Sequence, residues 1–270
     1  MTRAPSLEIS DTDIDAYGED GIVCLRGLFD AEWVDHLRNC VEQCIASPGP
    51  LAKDITRQGD GVFVSDTFVH EHVPGFEHFI WESPAAGIVA QVLRSAKVNL
   101  LFDQILVKEP GSTTRTMWHH DHTYWPVAGD QVCTLWIALD PVTAENGAVE
   151  YIRGSHKWGQ RFKARSFTGD DRYKEDLPEM PDIDSMRDQL DVLQFEMAPG
   201  DCTIHHGLLV HGAPGNETSG RRRAYVARWC GDDVTYNPRP NIQQMLRDPD
   251  IAPGGPLDCD LFPVVWPRPA

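Results

Sequence analysis

No pair of cysteines has C-x-x-C spacing, and the seven cysteines (Cys24, Cys40, Cys44, Cys133, Cys202, Cys230 and Cys259) are odd in number. This argues against a disulfide framework and a cysteine zinc site, and for a reducing, cytoplasmic setting. No run of about 18 apolar residues occurs, which excludes a transmembrane helix. The opening stretch, MTRAPSLEISDTDID, lacks the apolar segment of a secretory signal. Positive charge is scarce: 24 Lys and Arg stand against 41 Asp and Glu, a net charge of −17. So acidic a chain is a poor partner for nucleic acid or an anionic membrane, and an acidic ligand has to be met by a few placed arginines. Internal repeats, low-complexity segments and linkers are also missing. What remains is ordinary for a globular protein: 270 residues, 41% hydrophobic and 24% charged. One domain over 1–270 with a sizeable core is expected.

Within that domain the pattern changes near residue 97. Up to about 96 the chain reads as a mainly helical part. YGEDGIVCLRGLF (17–29) suggests a short strand with a turn at Glu19-Asp20-Gly21. Asp30 can cap a helix with Val34, Leu37, Val41, Cys44 and Ile45 on one face, ending before Pro48-Gly49-Pro50. Residues 51–80 are mixed and read as surface loop. Ser83-Pro84 places a cap before proline at the first position of a second helix, which buries Ile88, Val89, Val92 and Leu93. Then come short strand-like runs: VNLLFDQILVKEPG, QVCTLWIALDPV, AVEYIRGS, VLQFEMAPGDCTIHHG and RRAYVARWCG. Gly and Pro turns separate them, which predicts a mainly β fold with flanking helices and a jelly-roll core over about 97–236. Residues 159–189 are polar and read as an excursion and candidate lid. The proline-rich stretch 237–270 is expected to wrap the surface.

The densest chemistry is WHHDHTYW at 118–125. A lone histidine is usually a satisfied structural residue, but this cluster is not lone. On extended backbone, residues two apart share a side. His119 and Asp121 therefore pair an imidazole with a carboxylate, two-thirds of the 2-His-1-carboxylate triad that leaves positions open on ferrous iron. His120 and His122 share the other side with no acid beside them. A further imidazole has to come from a distant strand, and His205, His206 and His211 are the candidates.

Four blocks then resemble the phytanoyl-CoA dioxygenase family of non-haem iron(II)/2-oxoglutarate-dependent oxygenases: WHHDHTYW, LWIALDPVTAENGAVEYIRGSHKWG, APGDCTIHHGLLVHGAPGN and SGRRRAYVARW. With DGIVCLRGLFDAEWVDHLR before them, the similarity spans about 17–236 in order. It implies a double-stranded β-helix, a cupin-like jelly roll. It assigns His119, Asp121 and His211 to iron(II), and Arg222, eleven residues after His211, to the distal carboxylate of 2-oxoglutarate. A guanidinium suits that carboxylate because two parallel hydrogen bonds form. Arg221 and Arg223 face the other way on a strand and read as solvated. Gln104 and Trp136 match positions lining the cosubstrate pocket, and Lys108 is either a family-like pocket residue or a surface lysine. Where some relatives carry a serine two residues past the last ligand, this chain has Ala213, and Thr134 is the suggested substitute hydroxyl. The implied reaction couples O2 and 2-oxoglutarate to hydroxylation of a small molecule, with release of succinate and CO2. Related halogenases replace the carboxylate ligand by a small residue, so Asp121 favours hydroxylation.

Tyr124, Trp125 and Trp158 are candidates for the substrate pocket, although core packing is the commoner role for such residues. Arg228 shares the parity of Arg222, so it points inward and needs an anion: a substrate carboxylate or phosphonate, or one of Asp232 and Asp233. His156 reads as a turn residue satisfied by backbone. Small polar metabolites are favoured as substrates over natural-product scaffolds, and acyl-CoA is disfavoured because no basic patch meets its phosphates. Desaturation or epimerisation on the same cofactors, or a cupin-type metal enzyme without cosubstrate, are the alternatives.

Overall fold

The computed structural model describes residues 7–56, 60–166, 173, 175–240 and 242–268. Its first element is α1 (Asp11–Asp20), where the sequence predicted only the start of a strand segment. Periodicity could not reveal α1, because Tyr17 is its only buried residue. Its ends hold it instead: Ser10 Oγ accepts from Asp13 N at 3.2 Å, and Gly21, at φ 80°, donates to Tyr17 O at 2.9 Å. The short strand β1 (Ile22–Leu25) follows, then α2 (Ala31–Ala46), capped by Asp30 accepting from Trp33 N at 2.9 Å as predicted.

The stretch read as surface loop contains β2 (Lys53–Asp54), β3 (Phe63–Thr67) and α3 (Pro74–Glu82). These were missed because they are short and because β3 buries polar residues, Ser65 and Asp66, whose partners come from elsewhere in the chain. Helix α4 (Ala85–Leu93) starts one residue later than the capping pattern implied: Pro84 is its cap, and Ser83 Oγ accepts from Ala85 N at 3.3 Å.

The strands continue as β4 (Val98–Lys108), β5 (Thr116–His119), β6 (Val127–Ala128), β7 (Val132–Ala138), β8 (Glu150–Ile152), β9 (Val192–Gln194), β10 (Cys202–His206), β11 (His211–Ala213), β12 (Arg222–Cys230), β13 (Thr235–Tyr236) and β14 (Val264–Trp266). The larger sheet runs β1-β10-β7-β12-β4-β3-β2, with β14 also on β4; the smaller runs β5-β11-β8-β9; β13 pairs with β6. Every pairing is antiparallel. Within the proline-rich stretch, β14 adds a short strand to β4.

Period-two alternation sorts the larger sheet into two faces. Cys133, Leu135 and Ile137 of β7, Tyr225, Ala227 and Trp229 of β12, and Cys202 and Ile204 of β10 pack with the helices in one core. Trp136, Ala138, Ala224 and Val226 face inward and pack with Tyr151 and Ala213 of the smaller sheet. The helices bury one face and leave the other to enclose a site. Residues 159–189 are not wholly an excursion. Phe162, Met180 and Ile183 are buried with Trp118, Ile152 and Val210, while residues 167–172 and 174 lie outside the described ones.

Gly200 is one tight junction between the sheet and α2. It sits at φ 91°, and a Cβ there would lie 2.1 Å from Phe29 O, whose backbone N donates to Gly200 O at 3.1 Å. Gly200→Ala is expected to lower the unfolding free energy by about 2–4 kcal/mol, read as a lower urea midpoint at unchanged m. An unchanged midpoint would show that the loop relaxes freely.

Candidate metal and cosubstrate site

Strand pairing brings the first two imidazoles together: His211 of β11 lies opposite His119 of β5. Their rings stand 4.2 Å apart. Asp121 does not continue the strand as the parity reading assumed. Extended backbone ends at His120, and Asp121 opens a 3-10 turn over Asp121–Tyr124. The turn still swings its carboxylate inward. Asp121 Oδ1 is 3.4 Å from His119 Nε2 and 3.9 Å from His211 Nε2, and one ligand atom from each residue fits within 4.8 Å. His119 Nδ1 bonds Met117 O at 2.7 Å and His211 Nδ1 bonds Leu209 O at 2.9 Å. A ring that donates through Nδ1 offers Nε2 as the metal-binding lone pair.

Burial alone raises the Asp121 carboxyl, but His119, His205 and His211 around it outweigh this and hold it well below the usual range. Burial, then the neighbouring His119, pushes His211 well down. An ionised carboxylate and a neutral imidazole are the forms a metal needs.

The other histidines turn away or stop short. His120 Nε2 accepts from Phe162 N at 3.0 Å; His122 bonds Gly129 O at 3.0 Å and Arg161 at 2.9 Å. Burial pushes both rings down to about 4. His206 Nδ1 accepts from Leu208 N, and His156 meets Gly18 O at 3.3 Å, as a turn histidine should. His205 is fully buried, with Nε2 3.5 Å from Asp121 Oδ2. A second group of ligand types, Cys44, Asp66 and His72, also lies within 4.8 Å. There Asp66 accepts from Gly49 N at 2.7 Å and from the Cys44 thiol, whose pKa burial raises, so hydrogen bonding already accounts for it.

Arg222 starts β12 on the inward face, 2% exposed. Among the described residues its Nε and Nη1 have no hydrogen-bond partner, and its guanidinium lies over Trp136 at 5.5 Å. Burial lowers its pKa to about 10. Arg221 and Arg223 do face the other way, but they are ion-paired rather than merely solvated: Arg221 with Glu42 and Glu109, Arg223 with Asp140 and Glu42. Lys108, opposite Arg222 on β4, is no surface lysine. It is completely buried, donates to Pro214 O, and is pushed down to about 6 by burial and then by Arg222.

One pocket is lined by the His119–Asp121–His211 group and by Arg222, Gln104, Trp136, Thr134, Tyr124, Trp125 and Arg228. Gln104 Nε2 donates to Ser65 Oγ at 2.5 Å. Tyr124 stands edge-on to His119 at 5.8 Å and donates its hydroxyl to Arg165 O. Trp125 packs edge-on to Phe102 at 5.8 Å. Two expectations need correction. Trp158 is 39% exposed, packs on Phe162 and does not line the pocket, because the Gly154 turn carries it outward. Thr134 gives its only hydroxyl proton to Asp121 Oδ2 at 2.7 Å, so it orients the carboxylate rather than serving a cosubstrate. Residues 134 and 121 meet only across elements, so no sequence signal marked this bond. Thr134→Val is expected to weaken metal affinity about 10–100-fold, measured with a competing chelator. Equal affinity would assign the bond no orienting role.

Comparison with known proteins places these features. The family profile for phytanoyl-CoA dioxygenase (PhyH) matches residues 17–224. A probable phytanoyl-CoA dioxygenase of Caenorhabditis elegans is 28% identical over 153 residues, 54% of this chain and 48% of its own. The chain thus spans about half of that relative. The multifunctional dioxygenase prhA of Penicillium brasilianum is 23% identical over 84% of this chain and 74% of its own. The crystal structure of a non-heme alpha ketoglutarate dependent carbocyclase, SnoK, from nogalamycin biosynthesis superposes with TM-score 0.78 at 25% identity, covering 95% of this chain and 96% of that one. The fold is the mainly β, double-stranded β-helix of that structural class. Among the described residues, no helix is long and apolar enough to cross a membrane.

Proposed function

The chain belongs to the phytanoyl-CoA dioxygenase family, and from that premise we propose that it is a non-haem iron(II)- and 2-oxoglutarate-dependent dioxygenase that hydroxylates a small polar metabolite. In this reading residues 1–270 form one domain working in the reducing cytoplasm, in keeping with seven free cysteines. His119, Asp121 and His211 hold iron(II), Arg222 pairs with the distal carboxylate of 2-oxoglutarate, and Trp136 and Gln104 flank it. When bound, iron, 2-oxoglutarate and O2 supply the oxidising chemistry, releasing succinate and CO2.

The protein's part is positioning. Met117 O and Leu209 O fix the two imidazoles, Thr134 fixes the carboxylate, and the Trp136 face keeps the Arg222 guanidinium dry. A desolvated ion pair binds more strongly than one in water.

One observation carries the reading. A buried arginine with two unpartnered nitrogens lies in the pocket whose floor is the two-imidazole, one-carboxylate group. A permanent cation without an anion is costly, and a dicarboxylate that also reaches the metal supplies the missing charge. A metal enzyme without cosubstrate leaves Arg222 unexplained. The full-length likeness to a natural-product carbocyclase supports a scaffold substrate as second reading. The test is succinate release with iron(II), 2-oxoglutarate and a metabolite panel, against the background without substrate. Binding of 2-oxoglutarate independent of the metal site, with no succinate for any member, would count against it.

A further inference from the structure

A second cation in the pocket makes no ion pair among the described residues. Arg228 points inward from β12, 8% exposed, with the same parity as Arg222. Among the described residues its Nε has no hydrogen-bond partner, and Nη1 reaches Val226 O at 3.5 Å. Its guanidinium lies over Phe102 at 4.9 Å. Both anions the sequence offered are taken: Asp232 accepts from Ala96 N at 3.0 Å, and Asp233 from Asp130 N and Gln131 N. Asp121 and Asp103 act on Arg228 through space, but Asp103 is bonded to His70 and Tyr225, and Asp121 to Thr134 among the imidazoles. Among the described residues, Arg228 makes no ion pair within 4.0 Å. The rim arginine, Arg115, is half exposed and reaches Asp184 at 3.7 Å, so it does not share this condition.

Register gives Arg228 its place. It lies opposite Thr134 on one side and Phe102 on the other, and Thr134 holds Asp121. Arg228 is therefore beside the metal group. Arg222 is six residues back along the same strand, about 20 Å at 3.3 Å per residue. The two arginines thus enter the one pocket from different points along β12.

We propose that Arg228 binds an oxyanion (carboxylate, phosphonate or sulfonate) carried by the primary substrate, so that the substrate is a small organic acid. This rests on the oxygenase reading above and narrows it. Phe102, Tyr124 and Trp125 make the surroundings apolar and aromatic, which strengthens a charge-assisted fork on an oxyanion and disfavours a neutral group. The recognised group sits to one side of the metal, leaving the substrate's carbon skeleton to lie over it.

Calorimetry on protein loaded with Mn(II), which does not turn over, and saturated with 2-oxoglutarate tests this. The probes are acetate, methanesulfonate and methylphosphonate, with acetamide as the neutral match. Wild type is expected to bind at least one oxyanion and not acetamide. Arg228→Gln is expected to weaken that binding about 30-fold or more, while Arg228→Lys keeps part of it. Mn(II) and 2-oxoglutarate affinities stay within about 3-fold in both variants. Equal oxyanion binding in wild type and Arg228→Gln overturns the proposal, since the metal alone would then be the anion site. So does a wild type that takes up 2-oxoglutarate but binds no oxyanion at about 50 mM. A wild type that binds neither Mn(II) nor 2-oxoglutarate overturns the oxygenase reading itself, and this one with it.

Discussion

Replacing His211 by alanine is expected to leave a folded protein that no longer retains iron. The proposed site takes three protein ligands from β5, the turn after it and β11, and removing one leaves His119 and Asp121 alone. Metal affinity should fall by more than about 100-fold, beyond the 10–100-fold typical of losing an outer partner. Turnover should fall at least about 1000-fold, because coordinated cosubstrate is lost with the metal. Folding should survive: His211 lies at the pocket wall and the helix-packed core does not include it. Iron content by elemental analysis, succinate release and the unfolding midpoint report the three parts separately. A variant that keeps iron and still couples decarboxylation to product would remove His211 from the metal site. His205, whose Nε2 is 3.5 Å from Asp121, would then be the next ligand to test.

Arg222→Ala should separate cosubstrate binding from metal binding. Truncating one partner of a buried charge pair costs about 2–5 kcal/mol. The 2-oxoglutarate KM is therefore expected to rise by about 30-fold to more than 1000-fold, with iron content unchanged. The sign without cosubstrate is informative. Arg222 is then a buried cation with two unpartnered nitrogens, so the variant should be at least as stable as wild type. Adding 2-oxoglutarate should raise the wild-type melting temperature and leave the variant's unmoved. Arg222→Lys should recover only part of the affinity, since an ammonium cannot make the two-pronged contact. Equal cosubstrate affinity in wild type and alanine variant would refute the assignment.

Residues encoded within one segment were legible; residues defined by a neighbour across the fold were not. Strands β4, β7, β10 and β12 announced themselves by apolar runs between Gly and Pro turns, and helix α2 by its spacing and Asp30 cap. Helix α1 carries too little apolar surface to show a period, and β3 buries Ser65 and Asp66, which read as polar loop. Trp158 looked like a pocket aromatic because tryptophan is apolar wherever it stands; only the Gly154 turn sends it outward. Thr134 sat on the inward face as its parity said, yet parity could not name Asp121 as its partner.

By itself, then, the sequence determined the mainly β architecture, the H-x-D pair of His119 and Asp121, and the inward parity shared by Arg222 and Arg228. These follow from local periodicity and spacing, which a single strand carries alone. The tertiary structure alone decided that Asp121 reaches its neighbours through a 3-10 turn, that Lys108 is buried, and that Asp232 and Asp233 are spoken for. Each of these depends on strand register and on which groups the packed chain leaves unpaired. That is a property of pairs far apart in sequence, which no local pattern records.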